Sequence, residues 1–376
     1  MRLRIRFRRV EAFGRALLVR WARALDRRPP DPTAVGPRQV LYLRYDRIGD
    51  MILATGLLRA LAHATPALAV DVLASPENVS VLEGNPSVRS IILFDKRRPL
   101  SLLRTLARVR RARYDAVLDC QVFAPSTTTL LMMLLSGARE RVGVAHRGID
   151  EALTHPMPVP DGARHVIEYS AALASAFGVD PARTDWRPQL FLRDEEVAAA
   201  ESQWGELVGA RRPRLLVNIS AGKATCRWPA SHVTELLAAL ATRDAPPAVV
   251  LVSAPSDREL AFGIAAASGA AVARTPGIRD ALALVATADL VLTPDTSITH
   301  AASALNKPAL VLVPRGRDGH WGPYRTTGRA IASPGRWVET LPVAPVLEAL
   351  EAMLEAVPNA VPKAVPAVLE RRSAVP

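Results

Sequence analysis

The chain has 376 residues, 49% of them hydrophobic and 22% charged, so it can build about two globular domains with sizeable cores and is not disordered as a whole. Two cysteines, Cys120 and Cys226, with no C-x-x-C spacing exclude a disulfide scaffold and a structural zinc module, and no apolar run approaches the ~18–20 residues that span a bilayer. Lys and Arg number 48 against 36 Asp and Glu, a net +12 carried almost entirely by arginine, which suits a phosphorylated substrate, an anionic membrane face or nucleic acid without choosing among them.

Residues 1–28 hold ten arginines against Glu11 and Asp26. Arginines recurring through Arg28 with no uninterrupted apolar core argue against a secretory signal peptide. Val10, Phe13, Leu17, Trp21 and Leu25 recur at helical spacing, which predicts a basic amphipathic helix. Its apolar stripe suits either an anionic membrane or the body of the protein. Residues 28–37, with four prolines, read as a linker.

From Val40 onward, strands and helices alternate. Strands are predicted at 40–45, 70–74, 90–94, 116–119 and 141–144, with helices at 52–63 and 100–111 among them. A boundary is expected at Pro181–Pro188. A second series follows, with strands at 214–219, 248–253, 272–273, 290–293 and 309–313 and helices at 231–241, 257–268, 278–286 and 297–305. Ser231 and Asp257 are the expected N-caps. Apolar strands joined by helices predict parallel sheets covered on both faces, hence an α/β chain of two Rossmann-like, doubly wound domains. The expected divisions are an N-terminal extension and linker at 1–38, a first domain at 39–184, a second at 185–345, and a helix with a proline-rich tail at 346–376. Ala-Val-Pro repeats make 357–376 an expected disordered end.

Three junctions between strand and helix carry polar chemistry. The first is Leu43-Arg44-Tyr45-Asp46-Arg47-Ile48-Gly49-Asp50-Met51. Gly49 is expected to allow a tight turn. Asp50 then stands at the carboxyl end of a strand, where open α/β sheets bind ligands. It is either a general base or a cap for the helix from Met51. The second is Asn218 to Pro229, a loop of small residues in which Ser220, Gly222, Lys223, Thr225 and Arg227 suit a phosphate, or simply a polar loop packed by Trp228. The third is Thr293 to Ala302, where Asp295, Thr296 and Ser297 lead into a helix whose N-terminus favours an anion, with His300 one turn in. No G-x-G-x-x-G, P-loop, nucleophile elbow or metal-ligand spacing is present, so no metal and no cofactor are expected. No helix-turn-helix, RRM or KH signature occurs, and aromatics make up only 5%, so nucleic acid is not an expected partner.

In this order the motifs resemble the family 9 glycosyltransferases, the heptosyltransferases of lipopolysaccharide core synthesis. The resemblance runs from about Gln39 to Leu341. It rests on R-x-x-x-x-G-D at Arg44, Gly49 and Asp50, on Tyr114–Asp119 and Ser136–Gly143, on R-W-P at Arg227–Pro229, on D-T-x-x-x-H at Asp295–His300, and on Ala301–Pro308. It implies a GT-B fold, with two Rossmann-like domains facing a cleft and the nucleotide-sugar held by the second. It further implies inverting, metal-independent transfer from ADP-heptose to a phosphorylated glycolipid. Asp50 would be the catalytic base. Arg44, Gly49, Ser220, Gly222, Lys223, Thr225, Arg227, Asp295, Thr296, Ser297 and His300 would make the substrate site. A cytoplasmic enzyme in peripheral contact with the anionic inner face of the inner membrane is expected.

Two positions depart from the family pattern. Cys226 stands where K-x-W-P has lysine, and Ser297 stands where D-T-G has glycine. They point toward a second reading, a GT-B enzyme using another nucleotide-sugar for capsule, O-antigen or protein glycosylation. A third reading, from charge, is a non-catalytic nucleotide- or nucleic-acid-binding protein.

Overall fold

The structure, a computed structural model, describes residues 14, 17, 20, 39–64, 68–119, 121, 126–145 and 150–357. Gly14, Leu17 and Arg20 are helical. The rest of the arginine-rich segment, the linker at 28–37, Cys120 and the tail beyond Val357 lie outside the described residues.

Strands β1 (Gln39–Leu43), β2 (Ala69–Ala74), β3 (Ser90–Leu93), β4 (Ala116–Asp119), β5 (Glu140–Val144) and β6 (His155–Met157) form one parallel sheet in the order β3-β2-β1-β4-β5-β6. Helices α1 (Ile48–Ala64), α2 (Pro99–Ala112) and α3 (Thr127–Leu135) connect them, and α4 (Val166–Ser175) follows. The second half opens with α5 (Asp194–Val208). Strands β7 (Arg214–Asn218), β8 (Ala248–Val252), β9 (Ala271–Val272), β10 (Leu290–Pro294), β11 (Ala309–Val313) and β12 (Arg329–Ala332) then form a second parallel sheet in the order β12-β11-β10-β7-β8-β9. Around it lie α6 (Ala230–Ala241), α7 (Arg258–Ser268), α8 (Ile278–Thr287), α9 (Ser297–Ala304), the short α10 (Asp318–Trp321) and α11 (Val343–Ala356). Both sheets have the doubly wound Rossmann order, with switch points between β1 and β4 and between β7 and β10.

The inner strands are mostly apolar because both of their faces are covered. Val40 and Tyr42 face one apolar cluster while Leu41 and Leu43 face another. Leu215 and Val217 likewise alternate with Leu216. This is the period-2 alternation of a strand with two buried faces. One cluster is shared between the halves: Met51, Leu57 and Leu58 of α1 belong to the same buried set as Ile298, Ala301 and Ala302 of α9. The floor between the lobes is therefore apolar and closed.

Several expectations are revised. Strands β6 and β12 were not predicted. Both are short sheet edges, and His155-Pro156-Met157 lacks an apolar run. Helix α1 starts at Ile48, four residues earlier than expected. Ser231 does not cap α6, which begins at Ala230 behind Pro229. Asp257 is at the N-cap of α7, but its carboxylate pairs with Arg227 Nη2 at 2.9 Å. Helix α11 begins at Val343 and buries Val346 and Leu350 against the second sheet, so the division expected at 345 runs inside it.

Arg279 of α8 ties the halves together. It donates from Nη1 to Ser80 O of the first lobe and from Nη2 to Phe191 O, both at 2.9 Å, and it pairs with Glu196 of α5. This guanidinium is the main reason the Glu196 carboxyl is held down at about 2, below its usual 4.5. A depressed carboxyl contributes stability above its unfolded value and loses it as pH falls through the folded value. Arg279→Met should therefore destabilise the protein by about 2 kcal/mol near neutral pH. In urea titrations its deficit against the wild type should shrink as pH falls from 4.5 toward about 2.

Candidate active site

β1 ends at Leu43, and residues 44–47 carry the chain into α1. Arg44 organises this turn. It is only 7% exposed, its N–H donates to Leu73 O at 3.0 Å, and its carbonyl accepts from Asn78 Nδ2 at 3.0 Å. Its Nε donates to Asp50 O at 3.2 Å, its Nη2 lies 3.2 Å from Asp50 Oδ1, and its Nε lies 3.4 Å from Asp46 Oδ1. The planar guanidinium thus holds Asp50 at both its carboxylate and its main-chain carbonyl. Arg44, expected among the substrate contacts, is engaged by these two aspartates. Asp50 is in the first turn of α1 rather than at its cap, where its negative charge suits the helix N-terminus.

Gly49 is an ordinary helical residue. It does not make the expected tight turn, and its small size matters for another reason. A Cβ at this position would stand 2.8 Å from His300 Cδ2 and 3.4 Å from the Ser297 Cα. The first turn of α1 is thus pressed directly against the first turn of α9. Asp50, one residue on, is brought to the rim of the second lobe.

The second lobe meets it with the start of α9. Thr296 is the N-cap, and its Oγ1 accepts from Ile298 N–H at 3.3 Å and from Asn218 Nδ2 at 3.1 Å. Asn218 also donates to Thr293 Oγ1 at 2.9 Å, and its Oδ1 accepts from Ser220 N–H at 3.1 Å. This amide therefore staples the Ser220 loop to α9. Its signal in the sequence is a polar residue closing an otherwise apolar strand. Ser220 Oγ accepts from Ala254 N–H at 2.8 Å. Gly222 and Lys223 are exposed, and a Cβ on Gly222 would meet nothing within 4 Å. Thr225 is half-buried, and Arg227 is drawn to Asp257. Cys226 is buried.

Asp295 lies just before α9, with Arg317 Nη1 at 3.5 Å from its Oδ2. Burial pushes its carboxyl up. The charges of Arg317, Lys223 and Arg47 oppose this, and that of Asp50 adds to it. Arg47 and Asp50 belong to the first lobe, so charges from both lobes act on one point. His300 is 4% exposed, and burial pulls its imidazole down to about 3, so it packs neutral between Gly49 and Trp321 rather than facing open solvent. His165 is also neutral, pulled down by burial to about 4. Its Nδ1 accepts from Ile167 N–H at 3.2 Å, which leaves Nε2–H to donate to Gly322 O at 3.1 Å.

A second buried carboxyl lies beside the turn. Asp119 ends β4, opposite Leu43, and its Oδ1 accepts from Gln121 N–H at 3.0 Å. Burial raises it to about 6. Burial also raises Asp46, against the pull of Arg44. Among the described residues, no group of three or more His, Cys, Asp or Glu is placed to hold a metal ion. No described helix is long and apolar enough to cross a membrane.

The sequence profile described as Glycosyltransferase family 9 (heptosyltransferase) matches residues 102–340. The chain belongs to glycosyltransferase family 9. The matched span begins after the Arg44–Asp50 turn and includes the Ser220 loop and α9. The lipopolysaccharide core heptosyltransferase OpsX of Haemophilus influenzae is 19% identical over 310 residues, 79% of this chain and 84% of that protein. Among solved structures, the family 9 glycosyltransferase of Veillonella parvula superposes with a TM-score of 0.75 at 16% identity, over 87% of this chain and 100% of that one. E. coli ADP-heptose lipopolysaccharide heptosyltransferase II gives 0.68 at 23% identity, over 85% and 99%. E. coli heptosyltransferase WaaC with ADP-2-deoxy-2-fluoro heptose gives 0.67 at 18%, over 84% and 99%. The fold is GT-B, and this family 9 member is a glycosyltransferase.

Two predictions follow from the geometry around Gly49 and Asp119. Gly49→Ala should cost about 1–3 kcal/mol in chemical denaturation, because the methyl meets a packed ring. Adding His300→Ala should recover a good part of that loss. A double variant as unstable as the sum of the two singles would contradict the contact. Asp119 has the opposite sign to Glu196: a raised carboxyl penalises the native state once ionised, so its contribution improves as pH falls through about 6. Asp119→Asn keeps the acceptor for Gln121 N–H. Above that pH it should be more stable than the wild type, and the two should converge at pH values near 4 and below.

Proposed function

We propose that this enzyme moves a heptose from ADP-heptose to a phosphorylated glycolipid in lipopolysaccharide core synthesis, at the cytoplasmic face of the inner membrane. The observation that carries the reading is the contact at Gly49. It sets a carboxylate held by Arg44 on one lobe beside an anion-attracting helix start on the other. Family membership and the likeness to heptosyltransferases that use or bind ADP-heptose support the choice of donor.

In this reading Asp50 accepts the proton of the acceptor hydroxyl as its oxygen attacks the anomeric carbon. A neutral hydroxyl is a weak nucleophile, and a positioned base contributes typically 10²–10⁴-fold, an order-of-magnitude figure. The bond to the diphosphate breaks on the opposite face, so the configuration inverts. The N–H groups at the start of α9 and the charge of Lys223 receive the developing negative charge on ADP. These fixed charges serve in place of a divalent cation. Lys223 is the loop cation suited to this, since Arg227 is paired with Asp257 and position 226 is a buried thiol. Asp295 sits beside the same charges and orients them.

The burial of Cys226 gives the second reading, a different nucleotide-sugar, a specific observation to rest on. One experiment separates the two. ADP-, UDP- and GDP-sugars are compared by thermal shift and by transfer to a lipid A–inner-core acceptor. ADP-heptose alone should raise the melting midpoint and support transfer. Asp50→Asn should lower turnover by about 10²-fold or more with donor affinity retained within about twofold. Stabilisation by UDP- or GDP-sugars instead of ADP-heptose overturns the donor. An active Asp50→Asn variant overturns the base.

A further inference from the structure

The outer flank of the first sheet is formed by β3 and the helix α2 that follows it. The inward face of α2 presents Leu102, Thr105, Leu106, Val109 and Ala112 to the core. The opposite stripe, at spacings of three and four, is Leu100, Leu103, Arg104, Ala107, Arg108 and Arg111, all exposed. A solvent-facing helix side ordinarily mixes charges of both signs. This one pairs leucines with arginines, and α2 contains no acidic residue at all. Leu100 is 63% exposed and Leu103 65%. These are two of the seven large apolar side chains exposed among the described residues, one turn apart on the same side of the helix.

Not every nearby cation is available to a ligand. Arg97 pairs with Glu77 at 2.6 Å, Arg98 with Asp95 at 3.3 Å, and Arg110 donates to Leu135 O at 3.0 Å. Arg104, Arg108 and Arg111 are the ones that frame the leucines. The patch also has a defined position. Helix α2 opens at Pro99, shortly after β3 ends at Leu93, so its leucine-bearing N-terminal end lies toward the carboxyl edge of the sheet, the edge from which the Arg44–Asp50 turn leaves β1.

We propose that this face docks the enzyme on an anionic phospholipid bilayer, with Leu100 and Leu103 entering the interface and Arg104, Arg108 and Arg111 meeting lipid phosphates. Insertion of apolar side chains between cations is what an anionic membrane surface rewards. A second copy of the chain fits poorly, because a two-fold contact through this face sets arginine against arginine. A nucleic acid fits poorly too, since leucines offer bases no aromatic platform. Docking in this way lays the outer side of α2 along the headgroups, with its leucines at the end nearer the carboxyl edge that carries Asp50; the link to a lipid-borne acceptor rests on the proposed function. The inference is independent of which sugar is transferred.

Vesicle flotation of the full chain tests it, with phosphatidylethanolamine–phosphatidylglycerol vesicles against pure phosphatidylcholine. The wild type should float with the anionic vesicles and release at high salt. L100S/L103S should lower partitioning by about tenfold, and R104E/R108E by roughly fivefold per arginine lost. All four side chains are exposed, so melting midpoints and transfer to a delipidated, soluble acceptor should stay at wild-type level. Three results overturn the proposal: either double variant floating like the wild type, equal binding to the neutral vesicles, or a wild-type dimer in solution that L100S/L103S dissociates.

Discussion

The absence of one carbon atom sets the geometry of this enzyme. Because residue 49 has no Cβ, the first turn of α1 can lie against the first turn of α9, at separations that any other side chain would fill. Two helix N-termini from different lobes are thus brought together, and the partial positive charge of each faces the same space. One of them carries Asp50, and the other carries the hydroxyls of Thr296 and Ser297. The rest of the arrangement secures that approach. Arg44 fixes the carboxylate, Asn218 fixes the loop to α9, and neutral, buried His300 and His165 fill the seam without adding charge.

The electrostatics are divided by lobe. Around Arg44 the first lobe gathers Asp46, Asp50 and Asp119, with one guanidinium among three carboxylates. Burial raises Asp46 and Asp119, so protons are held more readily there than in water. The second lobe offers Lys223 and Arg317 around a single carboxylate, Asp295. A carboxylate-rich side thus faces a side whose helix N-terminus and cations favour an anion.

Much of this was legible in the sequence, for stated physical reasons. Strands buried on both faces read as apolar runs, so β1, β2, β4, β7, β8, β10 and β11 were recognisable. Their alternation with helices fixed the two-sheet class. The edges β6 and β12 were not legible, because a short edge strand with Pro156 or Arg329 carries too little apolar periodicity. The first and third motifs meet at the seam through Gly49, Ser297 and His300, and the contacts of several motif residues are ones the spacing did not suggest. Arg44 and Arg227 are held by aspartates, and Gly49 serves close packing rather than a turn. His300 is a buried spacer. Such tasks depend on what approaches from the other lobe, and local spacing cannot encode that. Asp119 and Asn218 had only a weak signal, a polar residue ending an apolar strand.

The shared apolar floor has a consequence for how such proteins diversify. Met51, Leu57 and Leu58 belong to the first lobe in chain order and pack in its interior, yet they share one buried cluster with Ile298, Ala301 and Ala302 of the second. The packed surfaces of α1 and α9 must therefore be inherited together, across the boundary between the lobes. A chimera cut at the linker would leave mismatched volumes along that seam. Exchange of whole lobes between relatives by simple recombination is therefore disfavoured unless α1 and α9 change together.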